Sequence, residues 1–158
     1  MVDILTKHGL RDQVRVIASG KLTNPTMVAW ALAVGADFIT SARGFMFSLG
    51  CIQSMHCHKD TCPTGIATHN TRLQSGLSPR VKSVRVMNYH HNLIHEVELI
   101  AHSCGVSEPR GLTRQHVRIV QNSNRSLPFS EIFPDETPIA FQGIPVEVSQ
   151  EMTSESKP

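Results

Sequence analysis

The chain has 158 residues, 40% hydrophobic and 18% charged, with a formal net charge of +2 at neutral pH. That length supports one ordinary domain with its own core, and so small and dispersed a charge leaves no electrostatic footprint for nucleic acid. No run nears the roughly 18 apolar residues of a membrane span, and "MVDILTKHGLRD" lacks the basic and apolar regions of a signal peptide, so a cytoplasmic chain without membrane contact is expected.

Residues 3–9, "DILTKHG", read as the end of a helix stopped by Gly9. The β-branched run Val14 to Ala18 reads as a buried strand leading into Ser19 and Gly20. Asn24 is a good N-cap, Pro25 suits the first helical position, and the helix they open stops at Gly35. "ADFIT" is a second short strand, followed by "SARG" and a helix-like "FMFSLGCIQ". Strand, turn, helix, strand, turn, helix is a parallel α/β pattern. A loop broken by Pro63 and Gly65 comes next, and Ser78-Pro79 then opens a long helix ending near Cys104 and Gly105. Its apolar stripe is Val86, Tyr89, Leu93, Val97, Ile100 and Cys104, at steps of three and four. The pattern predicts a shorter helix from about Thr113 to Val120, no regular element beyond "PFSEIFPDETP", and a disordered tail over 138–158.

Three of the four cysteines, Cys51, Cys57 and Cys62, fall within "GCIQSMHCHKDTCPTGIATHN". In a reducing compartment such a cluster points to metal or redox chemistry rather than disulfides. An iron–sulfur cube that lacks one iron needs three protein thiolates, which suits this count. Structural zinc held by the three cysteines and His69, or less easily His56 or His58, is the competing reading. Cys104, on the apolar stripe, reads as a small buried hydrophobe. His91, His95, Glu98 and His102 form a second stripe expected to face solvent, and Trp30 is expected to pack on the strands.

Both strand-to-helix junctions suit a phosphate. Ser19-Gly20-Lys21 and Ser41-Ala42-Arg43-Gly44 are turns rich in small residues, each followed by a helix whose first amides and dipole favour an anion. In (β/α)8 barrels the loops after strands seven and eight often build one phosphate site together.

From Arg15 to Asn70, "RVIASGKLTNPTMVAWALAVGADFITSARGFMFSLGCIQSMHCHKDTCPTGIATHN" resembles the C-terminal part of the FMN-binding barrel of glutamate synthase, and more closely the shorter glutamate-synthase-like proteins. The likeness rests on the strand–glycine turns and a C-x5-C-x4-C-P-x-G-[IV]-A-T loop. It continues through "VRVMNYHHNLIHEVELIAHSCGV" and "LTRQHVRIVQ" to about Pro134.

The resemblance implies an α/β fold, the C-terminal portion of a (β/α)8 TIM barrel comprising strands seven and eight and the helices after them. Residues 1–55 would supply the last two βα units, 51–70 an iron–sulfur loop and 78–137 a helical extension. Cys51, Cys57 and Cys62 would ligate a [3Fe–4S] cluster. The FMN phosphate would sit on Ser19, Gly20, Lys21, Ala42, Arg43 and Gly44, although the larger enzymes carry glycine in place of Lys21 and small residues in place of Arg43. The implied reaction forms L-glutamate from 2-oxoglutarate and ammonia released from glutamine, with hydride delivered by reduced FMN. A barrel needs about 250 residues, so the chain is expected to be a fragment, or to pair with a companion that supplies the other strands or with an electron-donor subunit. A small electron-transfer module and a zinc-stabilised interaction domain are the readings without catalysis.

Overall fold

The computed structural model describes residues 1–122 and 124–138; the tail expected over 138–158 lies outside them except for Pro138. Helix α1 (Val2–Lys7) leads to strand β1 (Ile17–Ser19), helix α2 (Pro25–Ala33), strand β2 (Phe38–Thr40) and helix α3 (Ala42–Leu49). Two successive βα units are therefore present. Strands β1 and β2 run parallel, with Ile17 opposite Phe38 and Ser19 opposite Thr40. Helix α2 starts where Asn24 and Pro25 require, the Asn24 side chain accepting the Met27 amide at 2.9 Å.

Strand β1 is shorter than the β-branched run and is not buried. The Val16 amide donates to the Asp37 carboxylate at 2.7 Å, and the Val16 carbonyl accepts from Asp37 and Phe38, so a side chain replaces the ladder at its first position. The strands alternate: Ala18 and Ile39 face the core, whereas Ile17 is 64% and Phe38 49% exposed on the opposite face.

After a loop come α4 (Thr71–Gln74) and the long helix α5 (Pro79–Ser103), which covers α2 and α3. The core is Leu22, Val28, Ala29, Ala31, Ala33, Leu93, Val97, Ala101 and Leu112. Small alanines on α2 let α5 approach closely, and Trp30 is left 47% exposed instead of packing on the strands. His91, His95, Glu98 and His102 lie exposed, as the stripe pattern requires. Cys104 does not follow its stripe: the last core residue of α5 is the fully buried Ala101, and the exposed Cys104 caps the helix as the chain turns back, with the Val106 amide bonded to the Ala101 carbonyl.

Past Ser103 the extension is only partly helical. The helix expected over Thr113–Val120 is a 3₁₀ turn (Arg114–His116) followed by strand β3 (Arg118–Asn122), paired antiparallel with β4 (Arg125–Pro128). Thr113 and His116 cap each other reciprocally and close one turn, after which the alternation of Arg118, Ile119 and Val120 favours extended chain. A single helical turn, α6 (Phe129–Ile132), follows.

Candidate functional site

The parallel register brings both candidate phosphate turns to one end of the β1–β2 pair, because Ser19 and Thr40 are partners at the last rung. After β1 the backbone enters the left-handed region at Gly20 (φ +123°) and Lys21 (φ +57°). The chain thus leaves the strand in a tight turn that is exposed to solvent. Lys21 takes this conformation without being glycine, at a cost of about 1–2 kcal/mol. After β2 the amides of Ala42, Arg43 and Gly44 open α3 and have no intrahelical acceptor. Ser19, Gly20, Lys21, Ala42 and Arg43 are exposed at this end and Gly44 is buried.

Ser41, the residue between strand and helix, is turned inward. It is 7% exposed, and its hydroxyl donates to the Leu22 carbonyl at 2.5 Å and stands 2.9 Å from the Tyr89 hydroxyl. The Tyr89 hydroxyl also donates to the Thr23 carbonyl at 3.1 Å. Gly44 is glycine for room, since a Cβ there would lie 1.8 Å from the Tyr89 oxygen. A reading of the sequence passes over Tyr89 by placing it on an apolar stripe. The available signal is chemical: this is the chain's one tyrosine, and a packed tyrosine hydroxyl needs a partner.

Helix α3 links these turns to the cysteine loop. It ends at Gly50 (φ +101°), where the Cys51 amide bonds to the Met46 carbonyl at 3.0 Å and the Gly50 amide to Phe47 at 2.8 Å, a Schellman-type stop that launches the loop at Cys51. Cys51 is half-buried, Cys57 exposed and Cys62 buried, all as free thiols. Gln53, Met55 and Asp60 hold positive φ of 55°, 59° and 58°, and this clustering of left-handed non-glycine residues is characteristic of sites where surrounding structure imposes the backbone.

The second half of the loop is the more tightly bonded. Asp60 accepts the His69 amide at 2.5 Å and its carbonyl accepts Thr68 Oγ1 at 2.6 Å; Asn70 caps α4, and Gln74 Nε2 donates to the Thr68 carbonyl at 2.9 Å. Within this lobe Cys62 Sγ lies 3.4 Å from Thr64 Oγ1. The Thr64 hydroxyl first, and then the backbone amides of Ala67, Thr64 and Ile66, bring the Cys62 thiol down to about 7. A cradle of donors favours sulfur as thiolate, the form that ligates metal. Among the described residues no three His, Cys, Asp or Glu side chains are grouped to hold a metal ion, so neither the three cysteines nor a set including His69 is drawn together around one centre. The exposed Cys57 lies in the less tightly bonded half.

These features, a pair of βα turns joined by one helix to a three-cysteine loop, define a class that comparison makes concrete. Residues 1–107 match the conserved region in glutamate synthase, and the chain belongs to that family. It is 46% identical over 118 residues, 74% of its length, to the glutamate synthase large subunit-like protein YerD of Bacillus subtilis. It is 31% identical over 115 residues to an archaeal glutamate synthase [NADPH] of Methanocaldococcus jannaschii, with 73% of this chain aligned. A 70-residue stretch, 44% of the chain, is 40% identical to the glutamate synthase [NADPH] large chain of B. subtilis and covers 5% of it. The chain spans 22% of the length of the first two relatives. No helix among the described residues is long and apolar enough to cross a membrane.

Proposed function

We propose that this chain is the phosphate-binding and cluster-binding part of a glutamate-synthase-type flavoprotein that forms L-glutamate from 2-oxoglutarate and glutamine-derived ammonia. Its cofactors are FMN and a [3Fe–4S] cluster. When bound, the flavin supplies hydride and the cluster carries electrons; the protein binds, orients and tunes them. Amides at Gly20, Lys21, Ala42, Arg43 and Gly44 hold the FMN phosphate beside Ser19, and the exposed Lys21 and Arg43 side chains add positive charge. Cys51, Cys57 and Cys62 ligate the cluster, with the Thr64, Ile66 and Ala67 donors stabilising the Cys62 thiolate. Assembly draws the exposed Cys57 segment inward.

The observation that carries this reading is α3. One helix begins at the second phosphate turn and ends at the first cluster cysteine, and its eight residues separate them by about 12 Å. A parallel pair with Ile17 and Phe38 uncovered further favours part of a barrel over a freestanding electron-transfer module, because parallel sheets are normally covered on both faces. Catalysis accordingly belongs to a barrel completed by the other strands. The test is anaerobic reconstitution of the full chain with ferrous iron and sulfide, read by iron and sulfide content and EPR. Three irons per chain and a three-iron signal, both lost in Cys57→Ser, are expected; a colourless protein with one bound zinc overturns the cluster assignment.

A further inference from the structure

The two turns are independent pieces of chain, and each follows a strand of only three residues. An anion shared between them is held well only if both sets of amides stay at a fixed separation. The ladder alone is a weak clamp for that purpose. What ties the turns across the gap is a pair of hydroxyls: Ser41 Oγ reaches back to the Leu22 carbonyl, and the Tyr89 hydroxyl reaches the Thr23 carbonyl while touching Ser41 Oγ. Two hydroxyl protons cannot fill three contacts at once, so the two groups share them and are coupled. Tyr89 comes from α5, an element outside both βα units, and its ring is fixed edge-on against Phe45 of α3 at 5.1 Å between centroids. Gly44 is left bare so that the tyrosine oxygen can reach this position.

We infer that Tyr89 is a positioning residue for the phosphate site: its hydroxyl sets the spacing of the 20–23 and 41–44 turns and thereby the preference for a phosphate-bearing ligand over its phosphate-free counterpart. This rests on the phosphate reading proposed above, but both turns lie wholly within this chain, so the effect is measurable here without the rest of a barrel. Tyr89 acts through Ser41 and Thr23.

The experiment compares FMN, riboflavin and inorganic phosphate binding to the full chain, as wild type, Tyr89→Phe, Ser41→Ala and the double variant. Tyr89→Phe keeps the ring against Phe45 and removes only the oxygen. The expected result is that the FMN-to-riboflavin affinity ratio falls about fivefold (about 1 kcal/mol), with riboflavin affinity unchanged. The double variant should lose no more than the larger single effect, because the hydroxyls act as one network. The chain's single tyrosine, labelled with ¹³C at Cζ, should also shift when phosphate is added to the wild type. Equal weakening of FMN and riboflavin, additive losses, or an unmoved Cζ signal in a chain that binds phosphate overturns the role of Tyr89 and leaves the site standing. A wild type with no preference for FMN and no response to phosphate removes the site, and the inference with it.

Discussion

Gly65 offers a sharp test of how the cysteine loop is held. It lies between Thr64 and Ile66, two of the residues whose donors surround Cys62, at φ +79°. A Cβ there would lie 2.2 Å from the Leu73 carbonyl oxygen and 3.1 Å from the Gln74 Cα, both backbone atoms of α4 that no rotamer change moves aside. Gly65→Ala therefore carries two costs: a left-handed alanine at about 1–2 kcal/mol, and displacement of packed backbone at about 1–3 kcal/mol. Lower unfolded-chain entropy returns about 0.4–1 kcal/mol, leaving a net loss of about 1–4.5 kcal/mol. Gly105 is the control, because it has φ +78° and nothing within 4 Å of its Cβ position. Gly105→Ala should cost about 1 kcal/mol by the first cost alone. Urea denaturation of the two variants under reducing conditions, followed by circular dichroism, isolates the packing cost as their difference. Equal midpoints for the two would refute the claim that α4 clamps the loop.

Asp37 holds the opposite end of the strands. Its carboxyl lies below the ordinary 3.8, first because Arg11 donates to it and then because the Val16 amide does. A lowered folded-state value means stability present above the unfolded value and lost as pH falls through the folded one. Asp37→Asn should therefore destabilise by about 1–3 kcal/mol at pH 7 and by progressively less toward pH 2, as urea midpoints at several pH values would register. Arg114, 7% exposed, pairs with Asp3 and Asp135 and donates to the Phe133 carbonyl at 3.1 Å. Arg114→Met should cost about 1–3 kcal/mol, below the fully buried case because Asp3 is 45% exposed, and should raise hydrogen exchange in α1. Cys104→Ser should change the denaturation midpoint by less than about 0.5 kcal/mol; a larger loss would restore the buried reading of that residue.

What could be read from the sequence was local chemistry with a single structural outcome. Asn24-Pro25 and Ser78-Pro79 each open a helix at the residue they indicate, and one ends just before Gly35, whereas α3 stops at Gly50, inside the run that reads as helix-like. The side-by-side placement of the two turns follows from parallel pairing alone. Elements decided by distant partners were not legible. Val14–Val16 has strand propensity, yet Asp37, twenty-one residues from Val16, takes the Val16 amide into a side-chain bond. The β3–β4 hairpin pairs Ile119 with Leu127, whereas Thr113–Val120 alone suggests a helix. Periodicity put Cys104 and Tyr89 on one stripe, but it could not register that the core ends at Ala101 or that a hydroxyl three turns earlier bonds to a loop carbonyl.

The two ends of the β1–β2 pair differ in a way that bears on function. At the end where the strands begin, charge is satisfied internally: Arg11 bonds Asp37 at 2.9 Å and the Gly35 carbonyl at 3.0 Å, and Arg110 donates to the Asp37 carbonyl at 2.9 Å while lying over the Phe38 ring. These bonds tie the residues before β1 and between α2 and β2 to one another, as a stabilising scaffold requires. Where the strands finish, the pattern reverses. First-turn amides of α3 lack intrahelical acceptors, Lys21 accepts a left-handed backbone, and α3 leads directly to free thiols. Backbone strain and open donors persist where a ligand can use them, and in α/β proteins that place is beyond the carboxyl ends of the strands. The polarity of this small pair supports the proposal that binding falls to the turns and the cysteine loop, with stability at the arginine–aspartate end.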